Sequence, residues 1–206
     1  MLLPRLFEFY TLVYTLGYHM SEKITLNELK SHLWDSAGIL RGKIESSDFK
    51  HYIFGLLFYK RLSDTFDEEH EKLTKKVGPQ MAKQRDMYTH FYFPDNCKWE
   101  DVLSQSTNIG EKINKVFEQL TLENSPKLDG LLSRIDFNDK EILNDETLSA
   151  LIQHFNSINL SNNNVPADIL GQAYEILIEK FADDGGKKGG EFYTPAMVVK
   201  LLVKIL

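Results

Sequence analysis

Eight consecutive residues, Tyr52-Ile53-Phe54-Gly55-Leu56-Leu57-Phe58-Tyr59, are large and apolar except for one glycine. Ser46-Ser47-Asp48 stands just before them as a helix opening, and helical spacing runs from about Phe49 to Lys72. A helix that is apolar all round is buried on most of its sides, so the remaining chain has to be arranged around this one. Gly55 in its interior costs ~1 kcal/mol relative to alanine, and such a residue predicts a close helix crossing. The second half, Asp64 to Lys72, is charged and is expected to face solvent. Lys60 and Arg61 follow the apolar run and suit the negative end of a helix dipole, with a DNA-facing role as the alternative.

The other periodic segments are amphipathic. Leu26, Leu29, Leu33, Ala37 and Leu40 share one helical face. Thr25 with Glu28 three residues on forms a capping-box pattern, and Gly42 ends the element. Val77-Gly78-Pro79 ends the central helix. Tyr88 to Pro94 is rich in rings and reads as a short extended segment. Trp99 to Gln105 reads as a short helix, and Ile109, Ile113, Val116, Phe117 and Leu120 mark another. Pro126 opens a segment ending at Arg134, and Ile135 to Asp139 is a connector. Asp145 is placed to cap a helix carrying Leu148, Leu151, Ile152 and Phe155. After the loop Asn162-Asn163-Asn164-Val165-Pro166, a helix capped near Asp168 carries Ile169, Ala173, Ile176, Leu177 and Phe181. Helical periodicity dominates and strand patterns are scarce, so the fold class is mainly α. Trp34 and the rings from Tyr52 to Tyr59 are expected in the core.

Composition removes several function classes. A formal net charge of −6 argues against a protein that coats nucleic acid by itself. The lone Cys97 excludes an internal disulfide and fits a reducing cytoplasm; beside Lys98 its thiol is a candidate for a lowered pKa, with no other nucleophile machinery nearby. The six histidines show no paired metal-ligand spacing, so no metal site and no catalytic residue is assigned. Residues 1–19 are apolar and aromatic, but Arg5 and Glu8 interrupt them, and the uninterrupted run is too short to span a bilayer. They read as an extension ahead of a start near Met20, or a short packing helix, with a membrane anchor as the weaker alternative.

The carboxyl end carries the chemistry-bearing motif. Asp183-Asp184-Gly185-Gly186-Lys187-Lys188-Gly189-Gly190 is a glycine-rich charged loop, followed by Glu191-Phe192-Tyr193-Thr194-Pro195-Ala196. Thr194 is a good N-cap, and Pro195 is pre-set for a first helical position. Free amides at such a helix start, with Lys187 and Lys188 nearby, favour an anionic or polar ligand. Asp183 and Asp184 form a carboxylate pair without a base or nucleophile beside it, and no catalysis is assigned to them.

Several segments together resemble one family. Leu33-Trp34-Asp35 leading to Leu40-Arg41-Gly42, the run from Asp48 to Asp64, and Asp168-Ile169-Leu170-Gly171-Gln172-Ala173-Tyr174-Glu175 followed by Gly190 to Pro195 are similar, in order, to the modification (methyltransferase) subunit of type I restriction–modification systems. The resemblance covers roughly Thr25 to Leu206. It implies a helical N-terminal domain that ends at the start of a Rossmann-like catalytic domain: 1–19 a leader, 20–182 the helical domain, and 183–206 the glycine-rich loop with the first methyltransferase helix. It also implies methyl transfer from S-adenosylmethionine to adenine N6 in DNA by the intact subunit. The implied partners are a specificity subunit, a restriction subunit and DNA held through the complex, in the cytoplasm and without a membrane. Carried over position by position, Glu191, Phe192, Tyr193, Thr194, Pro195 and Ala196 become cofactor-contact candidates.

The chain departs from the family's pattern in two places. None of its six prolines sits in an Asn-Pro-Pro-aromatic motif, and no Gly-x-Gly follows an apolar strand. The first motif holds the adenine amino group and stacks the flipped base. Without both, this chain alone is expected neither to methylate nor to bind the cofactor measurably. A stand-alone helical binding protein derived from such a subunit is the alternative reading.

Overall fold

Thr25 opens the first helix as its sequence predicts. The computed structural model describes residues 23–132, 135–140 and 142–184. The Thr25 hydroxyl accepts the Glu28 amide hydrogen, and the Glu28 carboxylate accepts the Thr25 amide hydrogen at 2.8 Å, closing a capping box at the head of α1 (Leu26–Leu40). Leu29, Leu33, Ala37 and Leu40 are buried along one face. A turn through Gly42, at φ 79°, leads to α2 (Ser46–Val77), whose 32 residues make it ~48 Å long at the α-helical rise. Its end comes at Gly78, at φ 85°, a backbone conformation open to glycine.

Among the described residues the remaining helices are α3 (Trp99–Leu103), α4 (Ile109–Glu123), α5 (Asp145–Asn156) and α6 (Ala167–Asp184), with two 3₁₀ turns at Met81–Lys83 and Arg85–Met87. No strand occurs among the described residues. The core surrounds α2: Ile53, Leu56 and Tyr59 are fully buried. Tyr59 meets Trp99 with ring centroids 5.2 Å apart and Phe117 at 5.6 Å, and its hydroxyl donates to the Cys97 carbonyl at 2.9 Å. That single bond satisfies the polar tip of an otherwise apolar anchor. Trp34 lies half-buried against the core.

Several sequence expectations need correction. The close approach at Gly55 is real, but the neighbour is the connector, not a helix. A Cβ there would lie 2.7 Å from Ile135 Cδ1 and 3.3 Å from Phe137 Cζ. Phe137 is fully buried and packs edge-on against Tyr52 and Phe117. Asn114 holds the connector in place: its amide oxygen accepts from Phe137 N–H at 3.0 Å, and its amide nitrogen donates to Asp136 at 2.7 Å.

The ring-rich segment 88–94 forms no strand. The buried Asn124 side chain stands in for a strand partner, accepting from Tyr92 N–H at 2.8 Å and donating to Tyr92 C=O at 2.9 Å. One side-chain amide thus satisfies both backbone groups, as a ladder would.

Asp145 does not cap its own helix. Asn144 does so, accepting from Thr147 N–H at 2.9 Å. The helix carrying Ile169, Ala173 and Leu177 begins at Ala167, with Asp168 inside its first turn and not at the cap. That helix runs through Asp183 and Asp184, so this carboxylate pair lies on a helix end and not in a loop.

Candidate functional site

The residues predicted to border a cofactor, Glu191, Phe192, Tyr193, Thr194, Pro195 and Ala196, lie outside the described residues, as do residues 1–19 and Lys187 and Lys188. What the structure describes is the approach to them: the segment 157–166 and α6. This approach is built on one stripe of α2.

Arg61, Asp64 and Glu68 are spaced three and four residues apart, so they fall on one helical face. All three bind the backbone or side chains of the loop after α5. The Arg61 guanidinium donates through Nη1 to the carbonyls of Leu160 and Val165, the latter at 2.7 Å, and through Nη2 to Asn162 Oδ1. The Asp64 carboxylate accepts from Leu160 N–H at 2.6 Å. Glu68 accepts from Asn163 N–H at 3.1 Å and pairs with Lys72. Lys60 Nζ lies 2.5 Å and 2.6 Å from the two Asp64 oxygens and 5.5 Å from the Trp99 ring centre.

These charges are far from solvated. Lys60 is 5% exposed and Arg61 is 9% exposed, and within the stretch expected to face solvent the Asp64 and Glu68 side chains are largely covered, while Glu71 and Lys72 are exposed as expected. The structure also corrects the roles considered for Lys60 and Arg61: they lie inside a helix that continues to Val77, so neither sits at a helix end, and their donors are turned to protein acceptors. Burial shifts both neighbours toward their neutral forms. The Asp64 carboxyl is pushed up by burial, against the pull of Lys60 and the Leu160 amide. The Arg61 guanidinium is pushed down by burial, opposed by Glu68 and Asp64. A buried charge is tolerated when paired and hydrogen-bonded, and the two backbone carbonyls, one amide oxygen and nearby carboxylates supply that for Arg61.

The loop so held has Leu160 and Val165 fully buried. Two residues beyond Val165, α6 begins. It packs back on the helical body through the buried Ala173 and Leu177. Tyr174 meets Phe54 at 4.2 Å between ring centres, and Lys180 Nζ stands 4.8 Å above the Trp34 ring, a cation–π distance.

Elsewhere the described residues offer little chemistry. Cys97 is buried, its thiol 2.9 Å from Gln119 Oε1. Burial pushes its pKa up to about 11, the opposite of the shift expected from Lys98. No group of three His, Cys, Asp or Glu suited to a metal ion occurs among the described residues. His32 and His154 instead stack face to face at 3.8 Å, a pairing between α1 and α5 that sequence spacing does not reveal. An open groove of about 440 Å³ between α4 and the connector is lined by Phe117, Leu122, Leu132 and Ile135 with Asn114 and Asp136 at its edge. Its apolar floor does not fit a charged nucleoside cofactor. Among the described residues, no helix is long and apolar enough to cross a membrane.

Comparison with known proteins gives two family matches along the chain. The HsdM N-terminal domain family matches residues 29–155, and the N-6 DNA Methylase family matches residues 165–206. The chain is 28% identical to the type I restriction enzyme MjaIX methylase subunit of Methanocaldococcus jannaschii, over 87% of this chain and 35% of that protein. It is 27% identical to the MpnII methylase subunit of Mycoplasma pneumoniae, over 87% of this chain and 39% of that protein. The chain therefore spans little more than a third of the length of these relatives. A crystal structure of the type I restriction–modification system methyltransferase subunit from Streptococcus thermophilus superposes with a TM-score of 0.68 at 26% identity, covering 88% of this chain and 44% of that one. The first family match covers more than half of the chain, and the chain belongs to the HsdM N-terminal domain family, the N-terminal region of type I restriction–modification methyltransferase subunits.

Proposed function

We propose that this chain serves a type I DNA adenine-N6 methyltransferase as its assembly and DNA-enclosing region, and that it brings one edge of the S-adenosylmethionine pocket to the enzyme. The observation that carries the reading is the order of the two family matches along one chain, with the methylase-like match opening at Val165 and continuing into α6. α6 belongs to the second match, yet it packs on α1 and α2 through Ala173, Leu177 and Tyr174. The helical body and the methylase-like segment therefore share a packed boundary.

On this reading the domains divide as 20–182 and 183–206, after a leader at 1–19. Glu191 to Ala196 border the cofactor, with the amides ahead of the Thr194-Pro195 helix start meeting its polar end. S-adenosylmethionine supplies the methyl group when bound to the intact subunit. Target reading belongs to a specificity subunit and cleavage to a restriction subunit, all within the cytoplasm.

Co-purification tests the assembly role. Tagged chain expressed with the specificity subunit of its own system is expected to retain that subunit through a salt wash. Recovery of the chain alone, at matched expression, rules the assembly role out. Calorimetry with S-adenosylmethionine is expected to give no heat for this chain, since most walls of the pocket lie in sequence motifs it does not contain. In the intact subunit, Phe192→Ala is expected to weaken cofactor binding, and unchanged affinity would remove residues 191–196 from the pocket.

A further inference from the structure

The stretch between the two family matches, residues 156–164, reads as a polar linker: Asn-Ser-Ile-Asn-Leu-Ser-Asn-Asn-Asn. Composition of this kind belongs to flexible connections. The structure gives it a different character. Leu160 is fully buried, and Ser161 and Asn164 are buried too. Its backbone is bonded at four points to other elements: Leu160 N–H to Asp64, Leu160 C=O to Arg61, Asn163 N–H to Glu68, and Asn164 C=O to Ile24 N–H at 3.2 Å. Arg61 adds Val165 C=O, the first residue of the second match. One guanidinium thus spans the end of the linker and the start of the methylase-like segment.

We propose that Arg61 and Asp64 are positioning residues for the methylase-like segment: by clamping residues 160 to 165 onto α2, they set the direction in which α6 leaves the helical body. This rests on the reading of residues 165–206 as methyltransferase sequence. The guanidinium is suited to the task because its rigid planar fork reaches several carbonyls at once, which a lysine ammonium on a flexible stem does not. Asp64 works from the other side, taking the one amide hydrogen that Leu160 offers. Lys60 holds the Asp64 carboxylate by both oxygens, so the acceptor cannot swing away. The clamp sits on a buried, long helix, and its target is the short stretch ahead of α6, so an angular change of a few degrees at Val165 is carried along all 18 residues of that helix.

The test is a distance measurement on the full chain, with spin labels on Glu118→Cys in α4 and Gln172→Cys in α6, both exposed positions, in a Cys97→Ser background. The parent is expected to give one narrow distance distribution. Arg61→Lys, which keeps the charge but loses the fork, is expected to broaden it at least twofold. Asp64→Ala removes the acceptor of the Leu160 amide and is expected to broaden it as well, and a parent-like width there overturns the role of Asp64. Amide exchange of Ile113 to Leu120 in α4 is the control and is expected to stay as in the parent. A narrow distribution in Arg61→Lys overturns the proposal. So does broadening accompanied by equally faster exchange in α4, since that is loss of stability and not loss of aim. Should Arg61→Lys fail to fold, Asn162→Ala removes only the acceptor of Nη2 from an exposed residue; a smaller broadening is expected, and none overturns the proposal. No partner subunit or cofactor enters this experiment, so failure of the co-purification described above and failure of the clamp are separate results.

Discussion

The Asp145 carboxylate closes the amino end of a helix it does not belong to: its Oδ1 lies 2.9 Å from the Ile109 amide nitrogen at the head of α4. Its other oxygen lies 2.9 Å from the Asn108 amide nitrogen. The arrangement is needed because Asn108, the residue in the cap position of α4, sits in the left-handed region at φ 52° and makes no side-chain cap bond. A carboxylate from α5 supplies both the missing acceptor and the negative charge that a helix start favours. Removing it is expected to cost about 1 kcal/mol, the usual value of a cap. Thermal unfolding of Asp145→Ala checks the magnitude, and amide exchange checks the place: α4 is expected to fray at its start while α5, capped by Asn144, stays protected.

Two glycines sit against the connector with different consequences. At Gly55 the nearest obstacle to a Cβ is the end of the Ile135 side chain. That methyl can move, and alanine gains ~1 kcal/mol of helix propensity, so Gly55→Ala is expected to be mild. Gly55→Leu fills the space against Phe137 and is expected to cost about 1–3 kcal/mol.

At Gly110 a Cβ would lie 2.0 Å from the Phe137 carbonyl oxygen and 2.7 Å from its carbon. Backbone cannot yield as a methyl does, so Gly110→Ala is expected to cost about 3 kcal/mol or more. Urea unfolding of the two alanine variants ranks them, and an equal cost would show that the connector does not pack as described.

The stacked histidines predict acid sensitivity. Burial, then the neighbouring His154, lowers the His32 pKa to about 4, with Asp35 opposing. The unfolded chain therefore binds a proton near pH 6.5 that the folded chain refuses until about pH 4. The stabilising effect is complete above pH 6.5 and is lost as pH falls through that window. The ring is partly solvated, so the full shift is discounted, leaving an expected loss of roughly 1–2 kcal/mol. Comparing the parent with His32→Gln between pH 7 and pH 4.5 isolates it, since the variant is expected to lose stability less steeply over the same range.

Cys97 is expected to be nearly inert. Its thiol is buried, and its pKa of about 11 leaves very little thiolate at pH 8. Reaction with a disulfide reagent is expected to run more than ~100-fold slower than for a free cysteine. Unfolding in denaturant is expected to restore the ordinary rate. Fast labelling of the folded chain would place Cys97 at the surface.

Much of this fold was written in local pattern. The Thr25 and Glu28 pair, the apolar stripe of α1, the burial of Ile53, Leu56, Leu57 and Tyr59 and the amphipathic spacing of α4 are all set by residues within a turn or two of one another. Three family-like segments in order were enough to name the family. What stayed hidden involves partners distant in sequence. Arg61 and Leu160 are 99 residues apart and His154 and His32 are 122 apart; no periodicity marks such pairs. Local rules assigned Asp145 to the start of α5, and folding gave it the start of α4 instead. The charged half of α2 looked like a solvated face because charge alone does not reveal that a loop will settle on it. Helices arise from hydrogen bonds between near neighbours, so sequence alone determined them. Which buried charge meets which carbonyl depends on how the finished helices are stacked, and only the tertiary structure decided that.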